Sequence, residues 1–312
     1  MFKFVVTGGA GFIGSHIVEE LVKLGHTVTV IDDLANGKSE NIKPFLSQIK
    51  FVPGSILDLA LLKKEFVNVD YVLHQAAIPS VPRSIKDPLI TNQINIEGTL
   101  NVFIAARDCQ VKRVVYASSS SVYGDSPTLP KVETMGYNPQ SFYASHKMLN
   151  EIYGKLFFRL FGLETIGLRY FNVFGPRQDP HSEYAAVIPK FIKLISKGES
   201  PTIFGDGETT RDFTYVYNVV QANLLACTAP NIGGEIFNIA CGERISLNEL
   251  IQQINLLLNQ NIKPQYADFR AGDIKHSLAD ISKAKLQLGF QPEINFERGL
   301  KETILFFTKD VN

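Results

Sequence analysis

The chain has 312 residues, 45% of them hydrophobic and 20% charged, and its 31 acidic side chains balance its 31 basic ones. That length suits two closely packed domains, or one large α/β unit with an appended lobe. A net charge of zero provides no broad field for nucleic acid or for an anionic membrane, so neither is expected as a partner. Three widely spaced cysteines, Cys109, Cys227 and Cys241, suit small buried hydrophobes in a reducing, cytoplasmic setting better than a disulfide framework. The start from Met1 to Val6 runs into glycines without the basic and apolar regions of a signal peptide. No stretch approaches the roughly 18 apolar residues of a membrane span. The six histidines have no metal-ligand spacing to Cys, Asp or Glu, so no metal is expected.

The first half alternates short β-branched runs with helical patterns. Strands are expected at 4–7, 27–31, 50–52, 71–74, 111–117 and 165–169, with helical spacing or helix caps between them. Apolar strands alternating with helices predict an α/β fold, a doubly wound parallel sheet covered on both faces. After Asn172 the regularity breaks, and Pro176, Pro180, Pro189 and Pro201 are read as loop markers. Helical patterns return at 216–228, 247–258 and 296–307. The expected division is a dinucleotide-binding domain over 1–172, with a returning segment at about 212–242, and a smaller mixed α/β lobe over 173–312.

Directly after the first strand comes Gly8-Gly9-Ala10-Gly11-Phe12-Ile13-Gly14, then a helical run over 15–24 that Gly25 can end. Glycines at this place permit a tight strand-to-helix turn, let the backbone approach a pyrophosphate, and point a helix N-terminus at its charge. Asp32 and Asp33 close the second strand, eighteen and nineteen positions beyond Gly14. A carboxylate there accepts from the ribose hydroxyls and repels a 2′-phosphate, which favours NAD over NADP. The plainer reading is a steric turn followed by two solvated acids.

Tyr143-Ala144-Ser145-His146-Lys147 opens a helical pattern that runs to about Leu160, and four-residue spacing puts Tyr143 and Lys147 on one face. A free phenol, with a pKa of about 10, is a weak base at neutral pH. An adjacent ammonium is expected to stabilise the phenolate and lower that value, which makes the tyrosine a general base. Taken alone, such a pair is more often an amphipathic surface pair than a catalytic one. The serine-rich run Ser118-Ser119-Ser120-Ser121-Val122-Tyr123-Gly124 leaves the C-terminal end of another strand, where residues of a parallel sheet face the ligand crevice. A hydroxyl there can hold the substrate oxygen that Tyr143 deprotonates; otherwise the serines cap a turn.

In order, the glycine motif, the serine run, Tyr143-x-x-x-Lys147 and Arg169-Tyr170-Phe171-Asn172-Val173-Phe174-Gly175-Pro176-Arg177 resemble the extended short-chain dehydrogenases/reductases that act on nucleotide sugars. The likeness runs along essentially the whole chain and implies a Rossmann-type domain. It makes Ser119 the hydroxyl partner of Tyr143, with Lys147 completing the catalytic set. To the NAD side it assigns Gly8, Gly11, Phe12, Ile13, Gly14, Asp32, Asp33, Asn36 and Gly37. Ser55, Ile56, Gln75, Ala76, Ala77, Asn95 and Tyr170, with Tyr143 and Lys147, complete that group. To the sugar diphosphate and uridine it assigns Asn172, Val187, Phe204, Arg211, Arg270 and Asp273, since arginine's fork suits phosphate oxygens. Ser80, Ser84 and Arg83 either line the sugar pocket or serve as helix caps and surface groups, and Ser120 and Ser277 are placed toward the sugar. Two departures are notable. Phe142 precedes the tyrosine where relatives commonly have proline, and Ser55 stands at the usual aspartate position beside adenine.

Nucleotide-sugar dehydratases and glucuronate decarboxylases of this type carry an acid just before the equivalent of Val122-Tyr123-Gly124, whereas Ser120 and Ser121 stand here. Without that carboxylate the expected reaction is 4-epimerisation through a transient 4-keto sugar. Longer stretches, including 76–84, 124–133 and 270–280, resemble the UDP-N-acetylglucosamine 4-epimerases of bacterial and archaeal polysaccharide biosynthesis. In relatives restricted to UDP-glucose and UDP-galactose a tyrosine aligns with Ser277 and crowds the 2-substituent, so serine leaves room for an N-acetyl group. The expected substrates are the UDP-N-acetylglucosamine/UDP-N-acetylgalactosamine pair, with the non-acetylated pair as a possible addition. UDP-glucuronate 4-epimerisation is the alternative, and a non-catalytic NAD or nucleotide-sugar sensor is a remote one. A homodimer through 95–107 and 143–160 is what the family implies.

Overall fold

The computed structural model describes residues 1–180, 187–269 and 275–309. Arg270 and Asp273, both expected near the diphosphate and uridine, lie outside the described residues. Lys3–Thr7 (β1), Thr27–Asp32 (β2), Ile49–Pro53 (β3), Tyr71–His74 (β4), Arg113–Ser119 (β5), Glu164–Tyr170 (β6) and Ile236–Ile239 (β7) form one sheet, all pairs parallel. Its order is β7-β6-β5-β4-β1-β2-β3. β4 and β7 are buried at every residue and β1 at all but its first, which is why they read as apolar runs rather than alternating ones. The order reverses between β1 and β4, which opens a crevice beyond their C-terminal ends. All six expected strands are present: β4 has its expected bounds, β1, β2, β3 and β6 are longer by one or two residues, and β5 is shifted two residues later.

The principal helices are Phe12–Lys23 (α1), Leu59–Glu65 (α2), Val81–Lys86 (α3), Thr99–Asp108 (α4), Phe142–Phe161 (α5), Val187–Ser196 (α6), Val216–Thr228 (α7), Leu247–Leu258 (α8), Ser282–Leu288 (α9) and Phe296–Thr308 (α10). α1 starts at Phe12, three residues before its expected start, because Gly11 serves as the N-cap in an extended conformation. α5 starts where the Ser141 side chain accepts from the Ala144 N–H at 3.1 Å, and it ends at the left-handed Gly162. Pro189, read from sequence as a loop marker, lies in the first turn of α6. Proline is tolerated there because first-turn N–H groups have no helical partner to lose.

One core lies between the sheet and α1, α7 and α9, with Ile17, Leu21, Val219, Phe237 and Leu288 among its buried residues. A second lies on the other face with α2, α4 and α5, built around Phe66, Phe103, Tyr116 and Phe157. The lobe has its own core, in which Phe174, Phe213 and Phe296 pack with residues of α6, α8 and α10. Rings of Phe213 and Phe296 stack at 5.5 Å between centroids. α7 and β7 lie in the expected returning segment. α9 makes a second return to the sheet from a stretch expected to belong wholly to the lobe.

Candidate active site

Gly8 follows β1 with a φ of +70°, and a Cβ there would sit 2.6 Å from the Ala76 backbone nitrogen at the exit of β4. At Gly14 a Cβ would fall 2.1 Å from the Gly8 carbonyl oxygen, so the turn closes only around glycine. α1 begins with no side-chain cap and no acid in its first turn, which leaves its N-terminal N–H groups and positive dipole end for an anion. At the exit of β2, buried Asp32 accepts from the Ala10 N–H at 2.9 Å and the Leu34 N–H at 2.8 Å. It thereby ties the glycine turn to the second strand, and burial raises its pKa above the usual carboxylate value. Each carboxylate oxygen keeps a second acceptor site. Asp33 is exposed and accepts from the Ala35 N–H at 3.0 Å. A Cβ at Gly37 would meet the Asp32 carboxylate at 2.8 Å, so this loop also closes tightly over the acid. A glycine cradle, an uncapped helix start and a carboxylate at the β2 exit together fit a dinucleotide.

Other expected cofactor residues shape the walls. Phe12 and Ile13 begin α1 and pack against the lobe core. Gln75 follows β4; its amide donates to Asn223 at 3.1 Å and its carbonyl accepts from Tyr170 Oη at 3.2 Å, with Ala76 and Ala77 half-buried beside it. Asn95 is 1% exposed on a π-helical turn, Gln93–Gly98. Its side chain accepts from the Ile78 N–H at 2.8 Å and donates to the Ile78 carbonyl at 3.2 Å, so it fixes the loop after β4. The Asn36 side chain accepts from Arg83 at 2.9 Å at the surface, which joins a residue expected on the cofactor side to one expected near the sugar. Ser55 accepts from the Leu57 N–H at 3.3 Å, and Ile56 is buried in the second core.

The catalytic candidates meet where β5 ends against the first turns of α5. Ser119 hydrogen-bonds the Tyr143 phenol, and its Oγ accepts from the Ser121 N–H at 3.1 Å. Lys147 is 4% exposed and donates to the Ala117 carbonyl at 2.7 Å, with its Nζ 5.8 Å from the Tyr143 ring centroid. Burial pulls its ammonium down to about 8, opposed by the charge of Glu151. The Tyr143 phenol is pushed up to about 12 by burial, with the Ser119 hydrogen bond acting against that rise. This reverses the expected downward shift. The ammonium is turned toward the Ala117 carbonyl rather than the phenol oxygen, so desolvation dominates.

Sequence reasoning missed the layer behind this set. Glu151 is wholly buried and lies one helical turn beyond Lys147. It accepts from Ser118 Oγ at 2.5 Å and forms a bidentate pair with Arg169 at 2.9 and 2.7 Å. Four-residue spacing after Lys147 was the available signal. Ser84, fully buried on α3, accepts from the Tyr143 N–H at 3.2 Å. Ser80 is a helix cap, accepting from the Arg83 N–H at 3.2 Å.

A cavity of about 320 Å³ in the lobe brings together four expected substrate residues, Asn172, Val187, Phe204 and Arg211, with Phe213 and Leu247. Asn172, at a φ of +33°, donates to the Asp212 carbonyl at 3.2 Å. Arg211 donates to the carbonyls of Thr210 and Lys275 at 3.0 and 3.3 Å. The Ser277 N–H donates to the Thr210 carbonyl at 3.1 Å, which attaches the expected size gate to the same segment. Buried Asp212, unnoticed from sequence, accepts from the N–H groups of Cys241, Gly242 and Ala279 and anchors this wall. Ser120 and Ser121 form the short helical turn after β5, and Ser121 Oγ is buried without a partner among the described residues. Among those residues no group of three His, Cys, Asp or Glu could hold a metal ion, and no helix is long and apolar enough to cross a membrane.

A seven-stranded parallel sheet with a glycine cradle at its switch point and a Ser119–Tyr143–Lys147 set beside it defines a short-chain dehydrogenase/reductase of the extended type. The chain belongs to the NAD-dependent epimerase/dehydratase family, whose model matches residues 4–240. It is 45% identical to the solved structure of a UDP-N-acetylglucosamine 4-epimerase from Methanobrevibacter ruminantium M1, in complex with UDP-N-acetylmuramic acid. That superposition has a TM-score of 0.95 and covers 99% of each chain. It is 39% identical to a UDP-glucose 4-epimerase of Mycolicibacterium smegmatis over 98% of both chains. A UDP-N-acetyl-alpha-D-glucosaminuronate decarboxylase of Bacillus cytotoxicus is 36% identical over 99% of both. Overall similarity thus spans more than one chemistry.

Proposed function

We propose that the chain is an NAD-dependent UDP-sugar 4-epimerase whose preferred pair is UDP-N-acetylglucosamine and UDP-N-acetylgalactosamine. The observation that carries the reaction type is the serine turn. Ser120 and Ser121 stand beside Ser119 and Tyr143 where an elimination or decarboxylation would use an acid. Neighbouring carboxylates are engaged elsewhere, Glu151 with Arg169 and Glu133 with the Asn238 N–H at 2.8 Å. The N-acetyl preference is supported by Ser277 and by the 45% identical N-acetylglucosamine epimerase.

When bound at the glycine cradle, NAD supplies a hydride acceptor and donor, and a ring charge that favours phenolate at Tyr143. Ser119 holds the sugar 4-hydroxyl against Tyr143, which takes its proton and later returns it. Lys147 donates to the Ala117 carbonyl and keeps a positive charge within reach of the tyrosine ring. The lobe cavity grips the nucleotide, with Arg211 toward the diphosphate, so the 4-keto sugar can present its other face without leaving. A homodimer through 95–107 and 143–160 agrees with exposed Ile152, Leu160 and Phe161 on α5, and sedimentation velocity tests it.

The test is incubation of the purified protein, without added NAD, with UDP-N-acetylglucosamine, UDP-glucose and UDP-glucuronate separately. Each product is resolved from its 4-epimer, and Tyr143→Phe serves as the inactive control. The proposal expects fastest conversion of the N-acetylated sugar and its selective loss in Ser277→Tyr. Preferential turnover of UDP-glucuronate, or unchanged N-acetyl turnover in Ser277→Tyr, contradicts the substrate assignment. A protein that carries NAD and converts none of the three is a sensor.

A further inference from the structure

Three successive residues at the end of β5 receive three side chains spaced four apart on α5. The Ala117 carbonyl takes Lys147, the Ser118 hydroxyl takes Glu151, and the Ser119 hydroxyl takes Tyr143. The outer two of these contacts belong to the reaction described above. The middle one does not, yet it is the most enclosed: Glu151 is 0% exposed and its partner Arg169 is 1% exposed. Arg169 also lies over the rings of Tyr123 and Tyr137, at 4.6 and 5.4 Å from their centroids. A buried ion pair is a poor source of stability, since desolvating both charges offsets much of their attraction. Its place one turn behind Lys147 therefore calls for another role.

We infer that Glu151 is a positioning residue for proton transfer: held by Ser118 and Arg169, its fixed negative charge keeps the buried Lys147 ammonium charged and aligned beside Tyr143. Geometry supports this in two ways. The i,i+4 relation puts Glu151 on the face of α5 that carries Lys147. Ser118 and Arg169, from adjacent strands, leave the carboxylate no alternative orientation. The other titratable groups around Lys147 contribute no opposite charge at neutral pH. His74 on β4 and His146 on α5 are held neutral by burial, and Tyr116, Tyr137 and Tyr143 are held protonated. Arg169 is cationic and opposes Glu151 from its far side. Burial alone pulls the ammonium down, and Glu151 is the group that raises it.

The kinetic arm of the test rests on the 4-epimerase reading; the spectroscopic arm does not. In Glu151→Gln the alkaline limb of the kcat/KM profile moves toward lower pH by about one unit, with KM for the UDP-sugar and bound NAD unchanged. The titration midpoint of Lys147 falls with it, read by NMR on protein labelled with ¹³Cε-lysine, the resonance being assigned by its loss in Lys147→Met. The single variant leaves Arg169 buried without its partner. The double variant Glu151→Gln/Arg169→Met therefore serves as the folding control, and it shows a smaller shift of the same sign. If the Lys147 midpoint in these folded variants superimposes on that of the wild type, Glu151 is only structural and the inference is overturned. A wild type that turns over no UDP-sugar removes the epimerase reading and leaves the NMR comparison decisive.

Discussion

Ser84 Oγ accepts a hydrogen bond from the backbone N–H of Tyr143 at 3.2 Å, so a serine 59 residues upstream fixes the first turn of the helix that carries the proposed base. The same hydroxyl donates to the Val81 carbonyl at 2.7 Å and is fully buried, which ties α3 to α5. Ser84→Ala leaves a first-turn N–H and a carbonyl without this partner, at a cost of about 1 kcal/mol in stability. Because the displaced element is the one that bears Tyr143, kcat is expected to fall about tenfold with little change in KM. Steady-state kinetics and a thermal melt on the same preparation check both effects; a raised KM at unchanged kcat contradicts the assignment.

Arg211 lines the lobe cavity, and a guanidinium aimed at a diphosphate contributes about 1.5–3 kcal/mol. Arg211→Met is expected to raise KM for the UDP-sugar, and the inhibition constant for free UDP, by roughly 10- to 100-fold. kcat should change far less, since the proposed catalytic set lies on β5 and α5. Equal loss in kcat with unaltered UDP inhibition would move the diphosphate to another site.

Gly14→Ala places a methyl group 2.1 Å from the Gly8 carbonyl oxygen, which the turn cannot accommodate without opening. The variant is expected to purify with little or no NAD. The measurement is the nucleotide released on heat denaturation, compared per mole with wild type, and full retention would contradict the cradle.

His74 is 4% exposed, with one ring nitrogen 2.6 Å from Thr7 Oγ1 and the other 3.0 Å from Thr99 Oγ1. Burial pulls it from 6.5 down to about 3. The unfolded chain therefore binds more protons between those values, so this contribution is present above 6.5 and is lost as pH falls. His74 alone should cost about 1.4 kcal/mol per pH unit in that window. His16, pulled down to about 4, acts in the same direction, whereas Asp212, pushed up to about 6, acts in the opposite one. His74→Gln should flatten the fall in melting temperature between about pH 6 and pH 4. An unchanged slope contradicts the neutral assignment.

The sheet was legible because its central strands, such as β1 and β4, are buried on both faces and read as apolar runs, and the glycine turn because φ and close approach leave no other residue. Asp32 was placed correctly at the β2 exit, but its hydrogen bonds to Ala10 and Leu34 depend on loop geometry that spacing does not encode. The four-residue strand Ile236–Ile239 and the return of Ser282–Leu288 to the sheet are long-range pairings without a local pattern. Pro189 misled because proline marks a helix start as well as a loop. The Tyr143 shift had the wrong sign for a related reason. Sequence spacing puts Lys147 on the tyrosine's face but does not reveal that its ammonium is bound to the Ala117 carbonyl. Glu151 and Asp212 were missed because each acts through residues from other elements, Arg169 and Ser118 for one and three loop N–H groups for the other.

The central claim is that Tyr143 and Ser119 handle the 4-hydroxyl proton while the C4 hydrogen leaves and returns within a single binding event. UDP-N-acetylglucosamine deuterated at C4, incubated in ordinary water without added NAD, tests it most directly. The account predicts UDP-N-acetylgalactosamine that retains deuterium at C4, with no product from Tyr143→Phe. Exchange of the C4 label with solvent, or undiminished conversion by Tyr143→Phe, would contradict it.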